Sequence, residues 1–190
     1  MHADGRRAKG ERRRQALIDA TLRVVERDGV GGISHRAVAR EAGVPKTAAT
    51  YYFDTIDDLL VAALTASCEA YGADLAVIAA LPGDEALDRL AELMAHAASR
   101  RVRLVAEYEL YLLAARRPAL RPAARVWTDL LSGLVRRYTD DPNTARSVVG
   151  LVDGLMVNSL LSDETPSPAE FREALERVLR PAPTHSGPRV

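Results

Sequence analysis

A single cysteine, Cys68, in 190 residues excludes an internal disulfide and suits a reducing compartment. The four histidines stand too far apart in sequence to suggest a local metal site, so neither metal nor cofactor is expected. No stretch approaches the length of a membrane-spanning helix, and the charged N-terminus lacks an apolar h-region. No membrane partner and a cytoplasmic location are therefore expected. Glycine-rich phosphate loops are absent, and no Asn-Gly or Asp-Gly pair is flanked by alternating residues, which leaves no signal for a nucleotide site or a β-hairpin. Cys68 has no histidine within its own or the adjacent helix turns, so nucleophilic catalysis lacks its base and an enzyme is not expected. Net charge is also lacking: 26 basic side chains balance 26 acidic ones, and bulk composition indicates no polyanionic partner.

That neutrality hides a division. Residues 1–53 hold 11 Lys and Arg against 6 Asp and Glu, a net of +5, which leaves 15 against 20, a net of −5, for residues 54–190. Such a split suits a basic nucleic-acid module joined to an acidic regulatory body. Arg6, Arg7, Lys9, Arg12, Arg13 and Arg14 all precede the first apolar stripe. They form an arm that neutralises phosphates or enters a minor groove, or else a solvated disordered tail.

The segment Ser34–Phe53 reads as two short helices pivoting on Gly43. His35–Ala42 turns Val38 and Ala39 inward and Arg36, Arg40 and Glu41 outward, with Ser34 as N-cap. Gly43 supplies the left-handed backbone of a sharp turn, Val44 plugs the angle, and Pro45 suits the first turn of the next helix. The second helix, Lys46–Tyr52, is small-sided. Ala48 and Ala49 let its backbone approach base edges or a thymine methyl, while Lys46, Thr47, Thr50 and Tyr51 supply donors. An ordinary helical hairpin packing a core is the competing explanation.

The remaining periodicities are helical too, which makes the chain all-α. Helix one is expected over Glu11–Asp28, burying Leu17, Ile18, Thr21, Leu22, Val24 and Val25, with a stop at Gly29. A long helix starts at Thr55 and runs to Leu81-Pro82-Gly83, joining the DNA unit to the body. Further helices are expected over 84–99 capped by Asp84, then 102–116, 119–138, 144–161 and 168–180, followed by a disordered tail at 181–190. The segment 144–161 is the most apolar and needs cover on several sides. Gly150 and Gly154, four apart, admit a close helix, so Gly150, Val152, Gly154, Val157 and Leu161, with Phe171, Leu175 and Val178 of the last helix, form a candidate self-associating face. A central core helix inside a monomer is the alternative.

The stretch AREAGVPKTAATYYFDTIDDLL (39–60) resembles the DNA-binding motif of TetR-family transcriptional regulators, through Ala-Gly-Val at 42–44, Tyr52-Phe53, the Thr55 cap and Leu59-Leu60. Thr47 stands where a small residue is usual, Thr50 replaces an aromatic, and Ile56 replaces a lysine that generally touches phosphate. The phosphate grip is therefore expected at Tyr51, Tyr52, the Thr55 helix start and the basic arm. YELYLLAARRPALRP and LVDGLMVNSLL look like phrases of an actinobacterial-type subgroup.

The resemblance implies about nine helices: a helix-turn-helix domain at 1–54, a helical regulatory and dimerisation domain at 55–180, and a homodimer built mainly through the last two long segments. It also implies a small-molecule cavity in the body and repression of a nearby gene. Two recognition helices in successive major grooves require half-sites about 34–36 Å apart. A ligand tilting the Thr55 helix would change that separation and release the operator. The candidate readers of double-stranded operator DNA are Arg6, Arg7, Arg12, His35, Arg36, Pro45, Lys46, Thr47, Ala48, Thr50, Tyr51, Tyr52 and Thr55. For a largely apolar effector they are Tyr71, Met94, Tyr108, Tyr111, Trp127 and Asn158. Core packing is the duller account of Tyr108 and Tyr111, and core or dimer seam of Trp127. Other functions stay open: a helical interaction protein with a weak or vestigial DNA-binding unit, and an activator without an effector.

Overall fold

The stripe Leu17, Ile18, Ala20, Thr21, Val24, Val25 puts one face of the first helix wholly out of solvent, and the rest of the N-terminal unit condenses on that face. The computed structural model describes residues 2–179, and the tail expected at 181–190 lies outside them, as does the side chain of Arg6. Among the described residues there are nine α-helices and no strand: α1 (His2–Asp28), α2 (His35–Glu41), α3 (Lys46–Tyr52), α4 (Ile56–Ala79), α5 (Gly83–Ser99), α6 (Arg101–Leu113), α7 (Arg121–Val135), α8 (Pro142–Leu161) and α9 (Pro168–Leu179).

Several boundaries depart from expectation, among them those of α1, α5 and α7. Helix α1 begins at His2 rather than Glu11, so the basic stretch before the apolar stripe is helical; its Ala, Lys and Arg side chains are good helix formers and need no core to be solvated. Helix α5 is capped by Pro82 without a side-chain bond, and Asp84 lies inside its first turn, where it suits the positive helix end. Helix α7 starts at Arg121 after a 3-10 turn at Pro118–Leu120 and ends at Val135.

Contacts divide the chain into two units. The first comprises residues 2–71 and 102–127. It has one core of Leu17, Ile18, Val38, Ala39, Ala49, Phe53 and Leu59 under α1–α3, and another of Leu22, Val25, Leu60, Leu64, Cys68, Leu110, Leu120 and Ala123 between α1, α4, α6 and α7. Ile33 and Ile56 pack on both. The 3-10 turn after Gly29 is clasped from α6, where Glu109 Oε2 accepts the Val30 amide at 2.8 Å.

In the second unit, 72–101 and 128–179, α5 packs most extensively on α9, burying Leu87, Leu90 and Met94 with Phe171 and Leu175. Arg172 ties α9 to the start of α5 through the Asp84 carbonyl at 2.9 Å and the Asp88 carboxylate at 3.6 Å. Arg101 donates to the carbonyls of Ser159, Leu160 and Ser162 at 2.9, 2.6 and 2.7 Å, satisfying acceptors that a helix end leaves orphaned.

One exclusion drawn from the sequence is corrected. Helix α4, at 24 residues, is long and apolar enough to cross a membrane by length and composition. Alanines raise its hydropathy, and its four leucines, Leu59, Leu60, Leu64 and Leu75, are buried within the protein while Val77 is exposed; a core helix meets the same test.

Candidate functional site

The turn between α2 and α3 is built by backbone bonding. Gly43 has φ +64°, its amide bonds the Arg40 carbonyl at 3.2 Å, and the Val44 amide reaches back to the Ala39 carbonyl at 2.9 Å. These two bonds make a Schellman motif, whose left-handed residue favours glycine because a side chain there strains the backbone. A Cβ on Gly43 would meet nothing within 4 Å, so the dihedral alone makes the demand. Ser34 accepts the Ala37 amide at 3.1 Å at the start of α2, as its sequence position implies.

Beyond the turn, α3 presents two unlike sides. Ala49 is wholly buried, Tyr52 is half-buried with its hydroxyl against Gly10 of α1, and Phe53 closes the core beneath the Arg14 guanidinium, 5.3 Å from its ring centroid. Lys46, Thr47, Thr50 and Tyr51 line the opposite side in solvent, Tyr51 with 79% of its surface exposed. Arg36 of α2 and Arg7 and Arg12 of α1 are exposed as well. Of the two alanines expected to admit a base edge, Ala48 is half-buried on the flank, whereas Ala49 faces the core. Its small side chain serves close packing rather than groove approach.

Two other candidates carry structural bonds. The His35 ring nitrogen Nε2 bonds the Phe53 carbonyl at 2.8 Å, pinning the start of α2 to the end of α3. At the start of α4, Asp58 accepts the Thr55 amide at 2.9 Å and the Thr55 hydroxyl in turn accepts the Asp58 amide at 3.1 Å, a reciprocal cap that engages the Thr55 groups expected at a phosphate. Pro45 sits exposed as the N-cap of α3, contributing its fixed φ of −60°.

Ion pairs at the edge add to the apolar packing of α2 on α1. Glu41 accepts from Arg23 at 2.8 Å and Arg27 at 2.7 Å. These bonds, Arg23 first, hold the Glu41 carboxyl below its usual range, and the Thr55 amide and hydroxyl do the same for Asp58. A carboxylate with a depressed folded-state pKa adds stability that is complete above the ordinary carboxylate range and fades as pH falls through the folded value. Melting curves are expected to be flat from neutrality to about pH 5 and to fall below it. The gap between wild type and Asp58→Asn should narrow as acid is added; a gap independent of pH would show the cap to be uncharged.

The effector candidates divide between the units. In the first, Tyr71 and Trp127 meet edge to face at 5.4 Å and Tyr108 and Tyr111 at 6.4 Å, all four half-buried, with Tyr111 and Trp127 lying on the α4–α6–α7 core. Met94 is buried in α5 and Asn158 is exposed on α8, both in the second unit. Sequence reasoning missed Arg103 and Glu107 of α6, four residues apart, which surround the Tyr71 hydroxyl. Their i, i+4 spacing was visible, but not the approach of α4 and α1.

The candidate self-associating face also divides. Gly150, Gly154, Val157 and Leu161 share one exposed side of α8, and a Cβ on either glycine would meet nothing within 4 Å. Val152, Phe171 and Leu175 are buried inside the chain, and Val178 is half-buried. The first three have no surface to offer a second copy, because the packing of α5, α8 and α9 on one another already covers them.

Comparison with known proteins agrees with this geometry. Residues 17–63 match the family model described as "Bacterial regulatory proteins, tetR family", and residues 81–181 match "Tetracyclin repressor-like, C-terminal domain". The HTH-type transcriptional regulator PksA of Bacillus subtilis (strain 168) is 37% identical over 87 residues, 44% of this chain and 42% of that protein, so the match spans less than half its length. The HTH-type nicotine-responsive transcriptional repressor HdnoR of Paenarthrobacter nicotinovorans is 27% identical over 81% of this chain and 87% of its own. The crystal structure of the multidrug binding protein EbrR with ethidium superposes with a TM-score of 0.75 at 43% identity, covering 87% of this chain and 97% of that one. Complexes of EbrR with proflavin and malachite green match as well.

Proposed function

Because this chain belongs to the TetR family of transcriptional regulators, we propose that it is a ligand-responsive repressor that releases its operator when a small, largely apolar effector binds the body. Functionally, residues 1–54 read DNA and residues 55–180 bind the effector and a second copy of the chain. The observation that carries the reading is the exposed side of α3, where Lys46, Thr47, Thr50 and Tyr51 stand clear of a core filled by Ala49 and Phe53. Lys46 and Tyr51 offer donors to phosphates or base edges, Thr47 and Thr50 follow the groove wall, and Arg7, Arg12 and Arg36 extend the positive surface.

Two copies joined along the Gly150–Leu161 side of α8 would present two α3 helices, each to one half-site about 34–36 Å from the other. The half-buried aromatic pairs Tyr71–Trp127 and Tyr108–Tyr111 support an effector with a flat body, and EbrR, 43% identical, binds ethidium. No catalytic role is assigned, and the cytoplasm is the expected location.

The test is retention of the promoter-proximal duplex by the purified full chain. The affinity should fall steeply with salt, since counterions leave the DNA as cationic side chains engage it, and effector should release the complex. Failure to retain any duplex at low salt would favour an interaction protein with a vestigial DNA unit, and retention strengthened by effector would favour an activator.

A further inference from the structure

Of the 26 cationic side chains in this chain, only Lys9 and Lys46 are lysines; the other 24 are arginines. Arginine also makes the structural ion pairs, Arg23 and Arg27 to Glu41, Arg103 to Glu26 and Arg172 to Asp88. A guanidinium suits that work, because its planar fork holds a carboxylate in a fixed geometry that an ammonium does not. The two lysines stand apart. Both are exposed, neither ammonium has a hydrogen-bond or ion-pair partner among the described residues, and both fall within residues 1–53.

Lys46 opens α3 on the same solvent side as Thr47, Thr50 and Tyr51, so a change of charge at its amine is felt where α3 meets DNA. Lysine also differs from arginine in reactivity: its amine, once deprotonated, attacks an activated acyl carbon, whereas a guanidinium stays protonated and does not. The one thiol that could compete, Cys68, is buried. A donor of acyl groups thus meets side-chain amines nowhere but in the part of the chain that reads DNA.

We propose that Lys46 is an acylation site whose substrate is an activated acyl group, carried as a thioester or an acyl phosphate. The inference rests on the repressor reading above and adds to it a covalent input at α3 that does not pass through the body. The Lys46 nitrogen forms an amide bond to the acyl carbon as the bond from that carbon to sulfur or phosphate oxygen breaks. The thiolate or phosphate leaves with the electron pair, and the amine gives its proton to solvent. No oxidant or reductant is needed. The product is a neutral amide, bulkier than the ammonium it replaces, so α3 loses a phosphate-neutralising charge and gains volume at the groove. The core is untouched, because Lys46 takes no part in it.

The test treats the purified full chain with acetyl-CoA or with acetyl phosphate, maps the acetylated residues by peptide mass spectrometry, and measures retention of the promoter-proximal duplex. Lys46 should be acetylated, and prior binding of the duplex should protect it. For the acetylated protein, affinity should fall by about tenfold or more and the slope of log affinity against log salt by about one, with the melting temperature unchanged. Lys46→Arg has no amine at this place, so treatment should change its affinity, whatever the starting value, by less than about threefold. Lys9→Arg should lose as much on treatment as wild type does. No acetyl group on Lys46 from either donor, acetylation of Lys46 with unchanged affinity, or an equal loss in treated Lys46→Arg overturns the proposal and leaves the repressor reading standing. An untreated chain that retains no duplex removes both. Acetylation of Lys46 by one donor alone supports the proposal and identifies which carrier, thioester or acyl phosphate, serves it.

Discussion

Alanine at both Lys46 and Tyr51 is expected to weaken operator binding by about a hundredfold or more, at a cost in stability of no more than about 1 kcal/mol. Each good contact to a base or phosphate is worth about 1–3 kcal/mol, and loss of two compounds in the affinity. Stability barely moves because both side chains stand in solvent, Tyr51 giving up only its edge contact with Tyr52 at 5.0 Å. The two halves of the variant separate further by salt. Lys46→Ala should lower the slope of log affinity against log salt by about one, as a lost phosphate neutralisation does, and Tyr51→Ala should leave the slope unchanged. Electrophoretic retention across a salt series, with a melting curve for each variant, checks both. A large fall in melting temperature would place these side chains in the core and withdraw α3 as the reading helix.

The bounds of α3 were legible from sequence because several local signals agree there. Gly43 demands a positive φ, Pro45 fixes the backbone ahead of the helix, and Ala49 with Phe53 supplies its inward side. Which of two adjacent alanines faces inward was not legible, since Ala48 and Ala49 differ only by a rotation that the packing of α1 and α2 decides. His35 and Thr55 read as DNA contacts on position alone. Their bonds to Phe53 and Asp58 depend on where the chain returns, over 18 residues for the first, and on a choice between phosphate and cap for the second. The same limit hid the Arg103–Glu26 pair, 77 residues apart. Amphipathicity tells a residue to be buried without naming its cover, which is why Phe171 and Leu175 read equally well as core and as dimer face.

That last ambiguity yields the largest effect on stability. Phe171 is 1% exposed and lies with Leu175 where α9 packs on α5, so Phe171→Ala should cost about 3–5 kcal/mol through lost transfer energy and an unfilled cavity. The loss belongs to the single chain, so it should be the same at every protein concentration, and below its own melting point the variant should keep the sedimentation behaviour of wild type. Leu161 makes the contrast. With 82% of its surface exposed, Leu161→Asp removes little from the chain's own core, yet on the proposed α8 face it would set an unpaired charge against the apolar side of the second copy. Leu161→Asp should therefore shift sedimentation toward monomer, make melting temperature less dependent on concentration, and weaken operator binding because two linked half-sites no longer bind as one. The opposite pattern, with Phe171→Ala dissociating an otherwise stable protein and Leu161→Asp silent, would mean that α9 is the true seam and that its packing on α5 is not what holds it in the assembled molecule.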